Sequence, residues 1–329
     1  MILYKNGQAL INGKLVKTDI VANHGRIIEI SPDIVADEQT EVIDCSHRYI
    51  LPALVDLHTH GANGYDFNTA DVDGMRKIME FYISHGVGTV FPTVRADSDD
   101  VICQQVALIA QLSKDYPEIK GIHLEGPFLS KQYCDDISTQ YLQKPSMDKF
   151  VTYQKSAEGK IKLITVAPEL PDALAFISEV TDSKVVVSLG HSGADGETVN
   201  KALKAGAKCF THWGNAMSPL SEHNLNMMGT ALLSNAYAEV ECSDERIDKD
   251  VLRLLLKAKG IDKLIGITNS SKTNTIDAYQ GLANFVSYTG LPLPEAIKIW
   301  TVNPAKLVGL SDRIGTIEVG KDADFIIFG

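Results

Sequence analysis

"YILPALVDLHTHG", residues 49–61, is a near-continuous apolar run that ends on two histidines and a glycine. A strand with no polar alternation is covered on both faces, as strands of a parallel sheet are. Seven similar runs follow: "GVGTVFPTV", "IKGIHLEGPFL", "IKLITVAPEL", "VVVSLGHS", "AKCFTHWGNAM", "AYAEVECSDE" and "LIGITNSS". They recur at roughly 30-residue spacing, the length of a βα unit. Stretches between them, such as "DGMRKIMEFYISHG" and "DSDDVICQQVALIAQLSKDY", carry the 3.6-residue period of amphipathic helices. Eight strands alternating with helices predict an α/β fold, a (β/α)8 TIM-like barrel over residues 51–308. An open doubly wound sheet, which usually has fewer repeats, is the alternative.

Both ends of the chain read differently. Residues 1–50 hold short alternating strands with turn signals at Asn6-Gly7, Asn12-Gly13 and His24-Gly25. The close, "RIGTIEVGKDADFIIFG", is again turn and strand. Residues 1–50 and 309–329 are therefore expected to form one small β-sandwich domain built from both termini.

The 329 residues are 44% hydrophobic and 22% charged, with a net charge of −11. No basic run and no basic–aromatic interleaving is present, which argues against a nucleic-acid partner. No apolar run reaches the ~18 residues of a membrane span, and the N-terminus breaks its apolar residues too early for a signal peptide. The five cysteines are odd in number and lack CxxC spacing, so reduced thiols in the cytoplasm are expected.

Metal-ligating residue types gather at the strand ends. His58 and His60 stand at i and i+2, Glu125 ends the third run, His191 the fifth and His212 the sixth. Each alone has an ordinary explanation: a structural histidine, or an exposed glutamate. Together they share the carboxyl ends of barrel strands, where side chains converge on an active face. Imidazole with carboxylate suits one or two divalent ions, zinc first and iron or manganese as alternatives. His123, two residues before Glu125, either joins or supports that site. His24, His47 and His85 sit in turns or before glycine and read as structural or surface residues.

"LPALVDLHTHG", "HLEGPFLS", "SLGHSGAD", "THWGNAMSPL" and "NPAKLVGLSDRIGTIEVGKDADFIIF" occur in the order in which they occur in a known group. They resemble the amidohydrolase superfamily and, within it, the N-acetylglucosamine-6-phosphate deacetylase family, along the whole chain. The resemblance implies Glu125, His191 and His212 as principal metal ligands, with His58 and His60 able to hold a second ion. It implies Asn215 and Ala216 at the phospho-sugar, and an anionic amino-sugar phosphate as substrate. It also implies a homodimer, since part of the family's phosphate site comes from a neighbouring subunit; the Met- and Leu-rich "SPLSEHNLNMMG" either packs there or is core.

The departures are specific. The family's catalytic Asp, in a "TDA" motif after the eighth strand, is Asn269 here. A family His corresponds to Arg246, and a family Arg to His223. The "KGxH" segment is replaced by "KQYCDDIST", and some 35–40 residues that usually follow "TDA" are absent. The resemblance implies metal-assisted amide hydrolysis with a proton shuttle, and an asparagine cannot shuttle a proton. Three readings follow. The chain is a deacetylase of low activity or with another base, for which Asp244 and Glu245 are candidates; it is an inactive sugar-phosphate-binding or regulatory relative; or it hydrolyses a different amide. Arg246 and His223 keep positive charge available to an anion. Arg246 could equally pair with a neighbouring carboxylate.

Overall fold

A computed structural model describes residues 1–134, 137–243 and 246–329. Five strands open the chain: β1 (Ile2–Ile11), β2 (Lys14–Asn23), β3 (Arg26–Ser31), β4 (Glu41–Asp44) and β5 (Tyr49–Pro52). Asn12-Gly13 joins β1 to β2, and His24-Gly25 joins β2 to β3. All four turn residues have positive φ, the conformation a two-residue hairpin needs. Asn6-Gly7 does not turn. β1 runs straight through it with a register shift, so the sequence signal marks a bulge, not a hairpin. Gly7 is required there for space: an added Cβ would come within 2.9 Å of Ile50 Cγ1.

The last strand, β16 (Phe325–Phe328), pairs antiparallel with β5 and completes a six-stranded sheet of order β16-β5-β1-β2-β3, with β4 also on β1. Ala9, Ile20, Ile27, Cys45, Ile50 and Ile317 form its own buried core.

The eight apolar runs become eight strands of one sheet. They are β6 (Leu54–Thr59), β9 (Val87–Arg95), β10 (Ile122–Glu125), β11 (Ile161–Val166), β12 (Val186–Leu189), β13 (Cys209–Phe210), β14 (Tyr237–Glu241) and β15 (Leu264–Ile267). A short hairpin, β7 (Gly61–Ala62) with β8 (Tyr65–Asp66), follows β6. All pairings in the large sheet are parallel and in sequence order. The last strand meets the first. Asn269 N–H donates to His58 O (3.0 Å) and His60 N–H to Ser270 O (2.8 Å). Across the same seam the Asp56 carboxylate accepts from Thr268 N (3.3 Å) and Thr268 Oγ1 (2.6 Å). The sheet therefore closes as a barrel, and the open doubly wound alternative falls.

Among the described residues one helix follows each of its strands: α1 (Val72–Ser84), α2 (Asp99–Leu112), α3 (Met147–Ser156), α4 (Ala173–Asp182), α5 (Gly196–Lys204), α6 (Asn226–Leu233), α7 (Lys249–Lys259) and α8 (Ala278–Thr289), with the shorter α9 (Leu293–Ala296) and α10 (Val302–Leu307) after them. Six begin at a side-chain cap that satisfies free N–H groups: Asp71, Ser98, Ser146, Asp195, Asp248 and Asp277. Every residue of β6, β10, β12 and β15 is buried, which is why those runs lack polar alternation. Only ten residues separate β15 from α8.

Candidate metal centre

The strand ends bring the five expected ligands to one point. His58 Nε2 lies 3.2 Å from His60 Nε2 and 3.2 Å from Glu125 Oε1, while His60 Nε2 lies 3.3 Å from Glu125 Oε2. On the other side His191 Nε2 and His212 Nε2 lie 3.1 and 3.2 Å from Glu125 Oε1, and 3.1 Å from each other. Two triads able to hold an ion thus share Glu125: His58–His60–Glu125 and Glu125–His191–His212. All five side chains are buried.

The donor chemistry fits a cation. His191 Nδ1 donates to Tyr133 O (2.7 Å) and His58 Nδ1 to Glu239 Oε2 (3.0 Å). Each bond places a ring proton on Nδ1 and leaves the Nε2 lone pair facing the cluster, as a metal-ligating imidazole requires. Nδ1 of His60 and of His212 has no hydrogen-bond partner among the described residues. Four ring nitrogens and a carboxylate packed this closely form a donor set that a divalent ion satisfies.

Charge in the metal-free cluster is sharply redistributed. Burial opposes a charged His58, yet Glu125 and Glu239 on either side outweigh it and raise the ring's pKa to about 10. Burial would raise Glu125, but His58, His60 and His191 hold it well below the usual carboxylate range. His60 is lowered, chiefly by burial.

His123 supports the site and does not join it. Its Nδ1 and Nε2 are taken by Thr93 Oγ1 (3.1 Å) and Thr165 Oγ1 (2.9 Å), and its ring stands edge-on to His58. His24, His47 and His85 lie in turns or at a helix end, and none of them belongs to either triad.

The cluster floors a cavity of about 320 Å³ whose lining includes Asn215, Arg246, Asn269 and Arg95. Asn269 has φ of +44°, as do, near that value, His191, His212 and Ala216. Side chains other than glycine adopt this region uncommonly, and such residues gather at functional sites. Ala216 contributes backbone: its carbonyl accepts from Ser192 N–H at 3.1 Å. Arg246 lines the cavity while its Nε lies 3.4 Å from the buried Glu241, so it pairs with a carboxylate and still faces the site. His223 is elsewhere. Its side chain is 83% exposed beside Glu222, and this chain alone does not bring it to the cavity. Asp244 and Glu245 lie outside the described residues.

Sequence reading overlooked four residues here. Glu239 orients His58, and Glu241 anchors Arg246. Their signal was present, since "AYAEVE" places two carboxylates at period two inside a buried run. Asp56 fastens the barrel seam beneath His58. Arg95 enters from the end of β9, held by Asp66 Oδ2 at 3.0 Å; one arginine ending a strand carries no signal by itself.

The N-acetylglucosamine-6-phosphate deacetylase of Bacillus subtilis (strain 168) is 26% identical over 99% of this chain and 92% of its own length. That alignment spans 373 positions against 329 residues here, so the relative has positions without a counterpart in this chain. The crystal structure of the Pasteurella multocida N-acetylglucosamine-6-phosphate deacetylase superposes with a TM-score of 0.91 at 25% identity, covering 99% of this chain and 95% of that one. The Mycobacterium smegmatis N-acetyl-D-glucosamine-6-phosphate deacetylase, solved as an aspartate-to-alanine mutant in complex with N-acetyl-D-glucosamine-6-phosphate, shares the fold with a TM-score of 0.89 at 23% identity, covering 99% and 94%. The amidohydrolase family pattern matches residues 49–329, from β5 through every strand that carries a cluster residue. On that match and this geometry, the chain belongs to the amidohydrolase family.

Proposed function

We propose that the chain is a metal-dependent amide hydrolase that deacetylates an N-acetyl amino-sugar phosphate, N-acetylglucosamine-6-phosphate first, giving the amine and acetate. The observation that carries this reading is the convergence of four Nε2 atoms on Glu125 at the floor of a cavity with Asn215 and Arg246 in its wall. Glu125, His191 and His212 would hold a divalent ion, with His58 and His60 available for a second, and such an ion would supply acidified water and Lewis-acid polarisation of an amide carbonyl. Zinc is the ion we infer first from the imidazole-rich donor set, ahead of iron or manganese. Arg246 and Asn215 orient the sugar phosphate on the side of β13 and β14. Ala216 offers backbone there, and His223 serves only if a second subunit supplies it, which makes a homodimer part of the proposal.

Asn269 stands where the proton shuttle is expected. Its amide can hold a water or a substrate oxygen by hydrogen bonds but cannot take and return a proton. Losing general acid–base help typically slows such a reaction by about 10²–10⁴-fold, so slow turnover is expected. The same residue favours a second reading, a binding or regulatory protein that keeps the pocket. We further infer the division into a β domain of residues 1–50 and 309–329 around the barrel, and a cytoplasmic setting, which the five free thiols suit. No helix among the described residues is long and apolar enough to cross a membrane.

The test is acetate release from N-acetylglucosamine-6-phosphate by zinc-loaded protein, followed by mass spectrometry over long incubations. Turnover abolished by a chelator and restored by the ion is the expected result. No turnover with the metal bound and the sugar phosphate retained would select the binding protein, and light scattering at several concentrations decides the dimer.

A further inference from the structure

A second cavity of about 240 Å³ adjoins the first, and Arg95 and Ile137 line both. It lies on the opposite side of the barrel mouth from Asn215 and Arg246. Those two follow β13 and β14, the sixth and seventh barrel strands. The second cavity is built from the loops after β6, β9, β10 and β15, the first, second, third and eighth.

Its wall is a made structure. Asn68 clamps the backbone of Arg95 from both sides: Arg95 N–H donates to Asn68 Oδ1 (2.8 Å), and Asn68 Nδ2 donates to Arg95 O (3.1 Å). The guanidinium is held on the buried Asp66 (3.0 Å). The Asp66 carboxylate is occupied by that contact and by Asn68 N–H. Lys272 brings a second cation to the lining, its ammonium in no ion pair among the described residues, and Asp97 adds a second carboxylate beside Asp66.

An amide held at the cluster has two sides. If the sugar phosphate runs toward Asn215 and Arg246, as proposed above, the acyl group points toward Arg95. A methyl group does not fill a cavity of this size, and Ala96, Ile137 and Tyr141 share its lining with Asn68, Thr69, Arg95 and Lys272. We infer that the second cavity is an acyl-side subsite, which admits amino-sugar phosphates carrying a short acyl chain that ends in a carboxylate, such as N-succinyl. Hydrolysis of that amide breaks the same C–N bond with water as the sole co-reactant and releases succinate in place of acetate. The inference rests on the proposed function for the direction of the sugar.

The test compares N-acetyl- and N-succinyl-glucosamine-6-phosphate with zinc-loaded protein, by dissociation constant and by kcat/KM, in wild type, Thr69→Trp and Lys272→Ala. Thr69 and Lys272 line only the second cavity. The succinyl compound binds wild type at least as tightly as the acetyl one. Each substitution lowers the succinyl-to-acetyl ratio by about tenfold or more, the scale on which a filled pocket or a lost polar partner discriminates ligands. Succinyl preference in binding without turnover of either compound supports the subsite while removing the hydrolase reading. Acetyl turnover with no succinyl binding overturns the subsite and leaves the hydrolase standing. A ratio that neither substitution moves overturns it as well.

Discussion

Glu239, on the seventh barrel strand, accepts the Nδ1 proton of His58, on the first, at 3.0 Å across the barrel interior. Both side chains are fully buried. This single bond fixes the tautomer and rotation of His58 and so directs its Nε2 at the cluster. Carboxylates in this position typically contribute about 10–100-fold in metal affinity. Glu239→Gln is therefore expected to weaken metal binding by that amount, measured by competition with a chromogenic chelator. An unchanged affinity would mean that packing alone holds the ring.

Asn269 is the second point of leverage. Its backbone N–H is fixed to His58 O and its side chain faces the cavity. Asn269→Asp keeps the shape, tolerates the left-handed backbone and supplies a group that can carry a proton. We expect kcat for deacetylation to rise by about 10²–10⁴-fold with KM nearly constant. Turnover by the unsubstituted chain with no rise would show that it works with another base; no turnover by either form would favour the binding protein.

Metal uptake has a proton signature. Without metal His58 is raised to about pKa 10, so near pH 8 the ring is charged. An ion binding through Nε2 must expel that proton. Calorimetric titration of zinc in buffers of different ionisation enthalpy is expected to show proton release that fades as pH approaches 10. Release that does not vary with pH would sink this assignment.

Asp56 predicts a pH dependence of stability. Burial raises its pKa to about 6, only partly offset by its bonds from Thr268 and His58. The folded chain thus holds this proton more tightly than the unfolded one. The stabilising contribution is complete below about 3.8, the ordinary value, and is lost as pH rises through about 6. Asp56→Asn should flatten the slope of Tm against pH between these values while keeping the seam closed. An unchanged slope would assign it to other carboxylates.

Gly266 sits on β15 against Trp300. A Cβ at this position would overlap the indole ring. Gly266→Ala is expected to cost about 1–3 kcal/mol through overpacking, seen as a lower Tm in chemical and thermal melts. A neutral result would mean that Trp300 swings aside freely.

Much of this molecule was legible in one dimension. Buried parallel strands must be apolar throughout, so the eight runs announced the barrel, and strand ends carrying His and Glu announced the cluster. Asn12-Gly13 and His24-Gly25 announced hairpins because few residues accept positive φ. The same reasoning misread Asn6-Gly7, where Gly7 serves close packing against Ile50 within one strand. Local chemistry cannot tell a turn from a bulge; the neighbouring strand decides.

What the sequence by itself determined is whatever depends on nearest neighbours and period: strand and helix succession, two of the hairpin turns, and which residues lie at strand ends. What only the tertiary structure decided depends on closure of the barrel. Closure sets Glu239 against His58 and Asp56 against Thr268, pairs 181 and 212 residues apart in the chain. It also separates Arg246, which reaches the cavity, from His223, which does not, and opens a second cavity beside Arg95. Such contacts are created by strands meeting in space, and no periodicity along the chain encodes the distance between them.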